Sequence, residues 1–340
     1  MTSQDNHTRT SGSGESKGMR IMGKINRRTR IMAWAGGLAM TGTIAAAAPA
    51  ASAAAAPSAA AEANRCSINA GAIAANGTSE GRFLVATTPP SETGNETYAP
   101  AYWAGKIPRL SSSETSYVGV SSIDRHGFVI IGDQLRDWYH SALYDGSHPT
   151  SSLKAIGGGW SGVRAVEFSD WDLRLNWSKP NAWHAHFYGL NGDGTLSRWR
   201  LGAGYTFGSK QTFAGFSSVK SMTLISQTST YDTLLMNTRG GALYTVRIPI
   251  TSPMKPIVKI VRSSGWTSFE TLLARRCGQY GTLLAGVDTD TGSAQLYAVG
   301  HANGTSTVIQ SLGKTPQPVT GSALHELTID AFYDIPHFGE

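Results

Sequence analysis

The apolar positions of this chain fall in short runs. From residue 64 onward, segments rich in Val, Thr, Tyr, Trp and Phe alternate with Gly, Ser, Asn, Asp and Pro. No apolar stripe at helical spacing lasts beyond two turns, so the pattern predicts an all-β domain. Within it one unit recurs: an aromatic start, apolar residues at every third position, then two or three short strands. The starts are "YVGVSSI" at Tyr117, "WSGVRAV" at Trp160, "FSSVKSM" at Phe216 and "WTSFETL" at Trp266, at intervals of 43, 56 and 50 residues. Each is followed by a strand opening with Leu: "LRDWYH" at Leu135, "LSRWRL" at Leu196, "LYTVRI" at Leu243 and "LYAVGH" at Leu296. Periods of roughly 40–60 residues with several strands per unit predict a β-propeller, in which each small sheet buries its faces against its neighbours. A β-sandwich accounts for the strands but not for their ordered repetition.

A propeller must close its ring or leave edges that invite aggregation, and the two ends of the chain suggest how. "RFLVATT" (82–88), "TYAPAYWAG" (97–105) and "IPRLSS" (107–112) read as three strands without an aromatic start, while "SALHELTIDAFY" (322–333) reads as a first strand without successors. Combined, they give one blade built from both termini and a five-bladed ring. Six blades is the alternative if residues 64–81 add strands.

Residues 1–63 differ in composition from everything that follows. "KINRRTR" is a cationic n-region, the stretch from Ile31 is Ala- and Gly-rich, and Ala51-Ser52-Ala53 fits a signal-peptidase site, with Ala61-Glu62-Ala63 a later choice. Met19 and Met22 are alternative starts, and Arg27-Arg28 raises a twin-arginine export route. A spanning helix needs about 20 strongly apolar residues, which Gly42, Pro49 and several Thr and Ser dilute here. The expectation is a secreted protein: leader 1–63, propeller 64–340, no stable membrane anchor. Removing the leader takes the charge from +6 to 22 basic against 20 acidic residues, a net +2. No Lys/Arg run then remains to mark a nucleic-acid footprint.

The chain has two cysteines, Cys66 and Cys277. In an oxidising compartment, with the two blades that carry them adjacent in a five-bladed ring, they are expected to pair, Cys277 lying in a loop of the Trp266 unit. Two unpaired buried thiols is the alternative. "EANR" before Cys66 lacks the small apolar residues of a lipoprotein signal.

The stretch from Gly265 to Val299, "GW", then "F" three residues on, a Leu, a spacer and "LYAV", resembles the repeat of the tachylectin-type lectins. That resemblance implies a five-bladed propeller that binds N-acetylated amino sugars between blades. Trp160 follows Gly159 and Phe216 follows Gly215, but "LYAV" has become "LSRW" at Leu196 and "LRDW" at Leu135. These departures leave open how many sugar sites remain.

The repeated ring has two physical uses. It can fill the wedge between blades, the preceding Gly allowing a tight turn. Alternatively one edge stays exposed and stacks on a sugar, with turn residues orienting the hydroxyls. The candidate ligand-binding residues are Trp160, Phe216, Trp266 and Tyr297, with Asp193 of "NGDGT" and Asp288 of "DTDTG"; both turns also read as plain hairpin turns. A propeller glycosidase, with two carboxylates flanking the scissile bond, is the competing enzyme class, its candidates being Glu167, Asp170, Asp172, Glu270, Glu326 and Asp330. "HAH" at His184 and His186 puts two imidazoles on one strand face, a metal-capable spacing, without a recognisable third ligand. "GGG" (157–159) lacks the following helix of a phosphate loop, and no G-x-S-x-G elbow occurs. The reading is a secreted, non-catalytic carbohydrate-binding propeller without cofactor or metal. Its partners are extracellular glycans or cell-wall sugars. A protein-interaction scaffold is the alternative.

Overall fold

The computed structural model describes residues 66–98, 103, 105–172, 183–330 and 337–340; the expected leader, 1–63, lies outside them. Twenty-one strands follow one another, interrupted among the described residues only by turns and a single 3-10 turn at Ala203–Tyr205. Three sheets are four-stranded antiparallel meanders. The second sheet is β9 (Val163–Asp172), β10 (Trp183–Asn191), β11 (Leu196–Leu201) and β12 (Phe207–Phe213). The third is β13 (Val219–Gln227), β14 (Tyr231–Thr238), β15 (Leu243–Pro249) and β16 (Ile257–Arg262). The fourth is β17 (Thr271–Cys277), β18 (Gly281–Val287), β19 (Ala294–Val299) and β20 (Ile309–Lys314). The all-β, repeated-sheet expectation is met.

The remaining nine strands form two such meanders joined edge to edge. The first sheet has β4 (Leu110–Ser111) and β5 (Glu114–Val118) as successive halves of one inner strand, both paired to β6 (Ser122–Ile131), followed by β7 (Gln134–Leu143) and β8 (Thr150–Gly157). The terminal sheet is β21 (Ala323–Asp330), β1 (Ser67–Ile73), β2 (Ser79–Val85) and β3 (Ser91–Tyr98). Here the last strand of the chain pairs antiparallel with the first, Ala70 opposite Glu326. β21 also runs parallel to β5, Leu327 opposite Glu114.

Both ends therefore contribute to one sheet, but not with the strands expected. Residues 67–73 form β1, 107–112 supply β4 of the neighbouring sheet, and the other two strands lie earlier than the pattern implied. "SINAGAI" carries little strand signal because its site demands small residues: a Cβ on Gly71 would lie 2.2 Å from His325 Nε2. Packing against β21 overrides propensity here.

Burial follows position in each sheet. The second strands β10, β14 and β18 are buried on both faces, while the outer strands β8, β12, β16 and β20 are largely exposed. Apolar clusters lie between consecutive sheets. Tyr188 and Leu190 of the second sheet pack with Phe216 and Met236 of the third, and Leu235 of the third with Trp266 and Leu284 of the fourth. Inner strands adjoin in the order β4, β9, β13, β17, β21, and β21 adjoins β4. A disulfide joins Cys66, beside β1, to Cys277, the last residue of β17 rather than a loop residue.

Candidate functional site

The recurrent Gly-aromatic turns link one sheet to the next. Gly159, Gly215 and Gly265 have φ of 88°, 107° and 97°, conformations that disfavour a side chain. The next backbone N–H then donates to the hairpin tip of the preceding sheet: Trp160 to Asp133 O (3.1 Å), Phe216 to Gly194 O (2.9 Å) and Trp266 to Gly241 O (3.0 Å). A side chain of the preceding sheet clamps the turn. Arg109 donates to Trp160 O (2.6 Å) and Val163 O (2.5 Å); Arg164 donates to Phe216 O (2.8 Å) and to Val219 O. Asn237 donates to Trp266 O (3.0 Å) and Phe269 O (2.8 Å). Asp133 accepts from Gly159 N and Ser161 N, both at 2.8 Å, and these bonds hold its carboxyl below the usual range.

The rings themselves are packed away, with exposures of 8 % for Trp160 and 5 % for both Phe216 and Trp266. Trp160 lies 4.8 Å from Trp199, and Trp266 lies 4.8 Å from the half-buried Tyr297, centroid to centroid. Their faces are wedges between sheets and offer no open stacking platform. The substituted "LYAV" strands follow the same rule: the ring sits at Leu+1 in Tyr297 but at Leu+3 in Trp138 and Trp199, and a step of two keeps it on the same strand face. The first unit starts at Trp103, not Tyr117. Trp103 is fully buried against Trp138 (5.1 Å), and Lys106 N donates to Trp103 O as Val163 N does to Trp160 O. Tyr117 lies within β5.

Asp193 and Asp288 cap their own turns, Asp193 accepting from Thr195 N (2.8 Å) and Asp288 from Asp290 N and Thr291 N (both 3.1 Å). They sit on separate hairpins. Among the six expected residues, Trp266 and Tyr297 are brought into ring contact.

The inner strands instead converge on a central cavity of about 780 Å³, walled by β4, β5, β9, β13, β17 and β21. Four of the expected acids line it: Glu167, Asp170, Glu270 and Glu326; the side chains of Asp172 and Asp330 lie outside the described set. Each of the four is held by protein donors. Glu167 accepts from Ser113 Oγ (2.8 Å), Phe168 N (3.0 Å) and Leu224 N (3.2 Å), spanning three sheets. Burial pushes its carboxyl up to about 7 despite these bonds. Asp170 accepts from Trp183 Nε1 (2.6 Å) and Tyr205 Oη (2.9 Å). Glu326 accepts from Arg275 (2.9 Å), and Glu270 from Thr289 N (3.0 Å) and Lys220. Among the described residues, four other side-chain atoms of cavity-lining residues are buried without a hydrogen-bond partner: Asp124 Oδ1, Gln227 Oε1, His325 Nδ1 and His337 Nδ1. His337 is pushed down to about 3 by burial and by Arg275 and Arg276, so its ring is neutral.

Away from the cavity, Asp232 supplies the partner that "HAH" lacked. Fully buried on β14, it lies 2.9 Å from His186 Nδ1 and 3.8 Å from His184 Nε2. Its sequence signal was an acid inside the buried run 231–238.

No protein-family model matches the chain, and no curated protein matches it. Among solved structures, SapL1 lectin in complex with α-methyl fucoside aligns at 12 % identity over 72 % of this chain and 79 % of that one, TM-score 0.38. An Aleuria aurantia lectin in complex with Fucα1-6GlcNAc aligns at 12 % over 75 % and 80 %, TM-score 0.42. A Podospora anserina α-L-arabinofuranosidase in complex with cellotriose aligns at 15 % over 67 % and 74 %, TM-score 0.39. The similarity is too low to transfer fold or ligand.

Proposed function

We propose that the chain is a secreted, non-catalytic carbohydrate-binding protein whose five blades form a closed ring around a central glycan site. Five sheets whose inner strands adjoin cyclically support that ring. The leader at 1–63 and the Cys66–Cys277 bridge support export to an oxidising, extracellular setting. Among the described residues, no helix is long and apolar enough to cross a membrane.

The observation that carries the binding reading is the cavity itself, about 780 Å³ and walled by polar side chains that include Ser113, Thr115, Asp124 and Gln227. Asp124, Gln227 and the hydroxyls of Ser113 and Thr115, all partly exposed, offer acceptors and donors at this wall. A ligand presenting many hydroxyl donors satisfies such a wall, and apolar edges such as Leu224 and Val166 lie beside it. N-acetylated amino sugars are the leading ligand class, the one implied by the resemblance of the Trp266 unit to the tachylectin-type repeat; its ring serves as a wedge here, and the acetamide would add a donor N–H at the cavity wall. This moves the expected site from the outer turns, where Trp160, Phe216 and Trp266 are buried, to the hub.

A glycosidase is the second reading, favoured by Glu167, a carboxyl near 7 on the cavity wall, in the range of a general acid. The donors holding Glu167, Asp170, Glu270 and Glu326 weigh against it. A protein scaffold finds support in outer strand β16, where Ile257, Val258 and Ile260 are exposed.

The test is calorimetric titration of the full chain with N-acetylglucosamine and N-acetylgalactosamine, beside a glycan panel. Saturable binding, lost in a folded Gln227→Ala variant and without release of reducing sugar, is expected. A folded chain silent to every glycan overturns the proposal, and turnover of a glycan establishes the glycosidase instead.

A further inference from the structure

We propose that His184, His186 and Asp232 form a buried site for a divalent cation of the zinc type, joining the second sheet to the third. His184 and His186 sit two residues apart on β10 and so share a face, and Asp232 faces them from β14. One ligand atom from each residue falls within 4.8 Å of the other two. With Zn–N and Zn–O bonds near 2.0–2.1 Å, tetrahedral ligand atoms lie about 3.3 Å apart. The separations here are 2.9 Å from His186 Nδ1 to Asp232 Oδ2 and 3.8 Å from His184 Nε2 to Asp232 Oδ1, each to its own carboxylate oxygen and each within about 0.5 Å of that value.

A closed hydrogen-bond network would account for Asp232, since Tyr188 Oη (2.6 Å), Ser169 Oγ (2.8 Å) and His186 all donate to it. It leaves His184 with no hydrogen bond at Nε2, only a 3.8 Å ion-pair contact with Asp232 Oδ1. The His184 side chain is 8 % exposed, and its ring is stacked 5.1 Å from Trp171. A buried nitrogen held toward a carboxylate just beyond hydrogen-bond distance is what an ion between them explains. Ser169 and Tyr188 then act as the outer partners that orient a ligating carboxylate. Two imidazoles and one carboxylate suit zinc or cobalt better than calcium or magnesium, which take oxygen sets. None of the three residues lines the central cavity, so the site stands apart from the glycan reading. With three protein ligands, a bound water would complete the tetrahedron.

The experiment uses the full chain without an affinity tag, stripped with chelator and refolded under oxidising conditions with Zn²⁺ or Co²⁺. Elemental analysis is expected to find about one equivalent of metal per chain, with a visible ligand-field band for the cobalt form and a higher Tm than the metal-free chain. His184→Gln, which removes one imidazole but keeps a polar side chain facing Asp232, is expected to fold, to lose the metal and to lose the Tm increment. His301→Gln, at an exposed position, is expected to keep both. A natively folded wild-type chain that takes up neither metal overturns the proposal, as does a His184→Gln variant that still binds an equivalent.

Discussion

Replacing Glu167 by Gln isolates a carboxyl that spans three sheets at the cavity. Its folded-state value of about 7, against an ordinary 4.5, means that the native state holds the proton more tightly than the unfolded chain. Stability from this group is therefore fully present below about pH 4.5 and is lost as pH rises through about 7. At 1.36 kcal/mol per pH unit, that loss comes to about 3 kcal/mol. Gln cannot ionise, so the variant escapes it. It keeps an acceptor for Ser113 and Phe168 N but turns an amide donor toward Leu224 N, which costs about 1–2 kcal/mol at every pH. Urea denaturation should thus find Glu167→Gln less stable than wild type at pH 4.5 and more stable at about pH 8, the difference shifting by about 3 kcal/mol. Parallel pH profiles for the two proteins would refute the assignment of this burial cost to Glu167.

The wedge role of the rings predicts that Trp266→Ala costs about 3–5 kcal/mol in urea denaturation, as for other large core truncations. Breaking the bridge by Cys66→Ala with Cys277→Ala removes a constraint between residues 211 apart, and a loss of about 2–5 kcal/mol is expected by the same assay. Gly71→Ala places a methyl against the His325 ring; a loss of about 1–3 kcal/mol is expected, and a neutral result would refute the close packing of β1 on β21.

The periodic aromatic starts and Leu-led strands made the repeated sheets legible because they belong to the wedges between sheets, where ring size is constrained. The terminal sheet was harder to read. β1 is written in Ala and Gly, and its pattern is set by His325, some 250 residues away, which no local window contains. Tyr117 passed for a unit start because an aromatic followed by spaced valines looks alike in a turn and in a strand. The repeat drew attention to Trp160, Phe216 and Trp266 as binding residues, yet repetition marked what holds the sheets together. The cavity groups Gln227, His325 and Asp124 do not repeat, and the Asp232 partner of "HAH" arrives from another sheet. Such constellations are products of the tertiary fold.

The most direct test of the central claim is an X-ray structure of the chain grown with N-acetylglucosamine. The account predicts the sugar in the central cavity, its hydroxyls or amide within hydrogen-bond distance of the Gln227 or Asp124 side chain. Sugar bound at the outer turns beside Trp266, with the cavity holding only water, would contradict it.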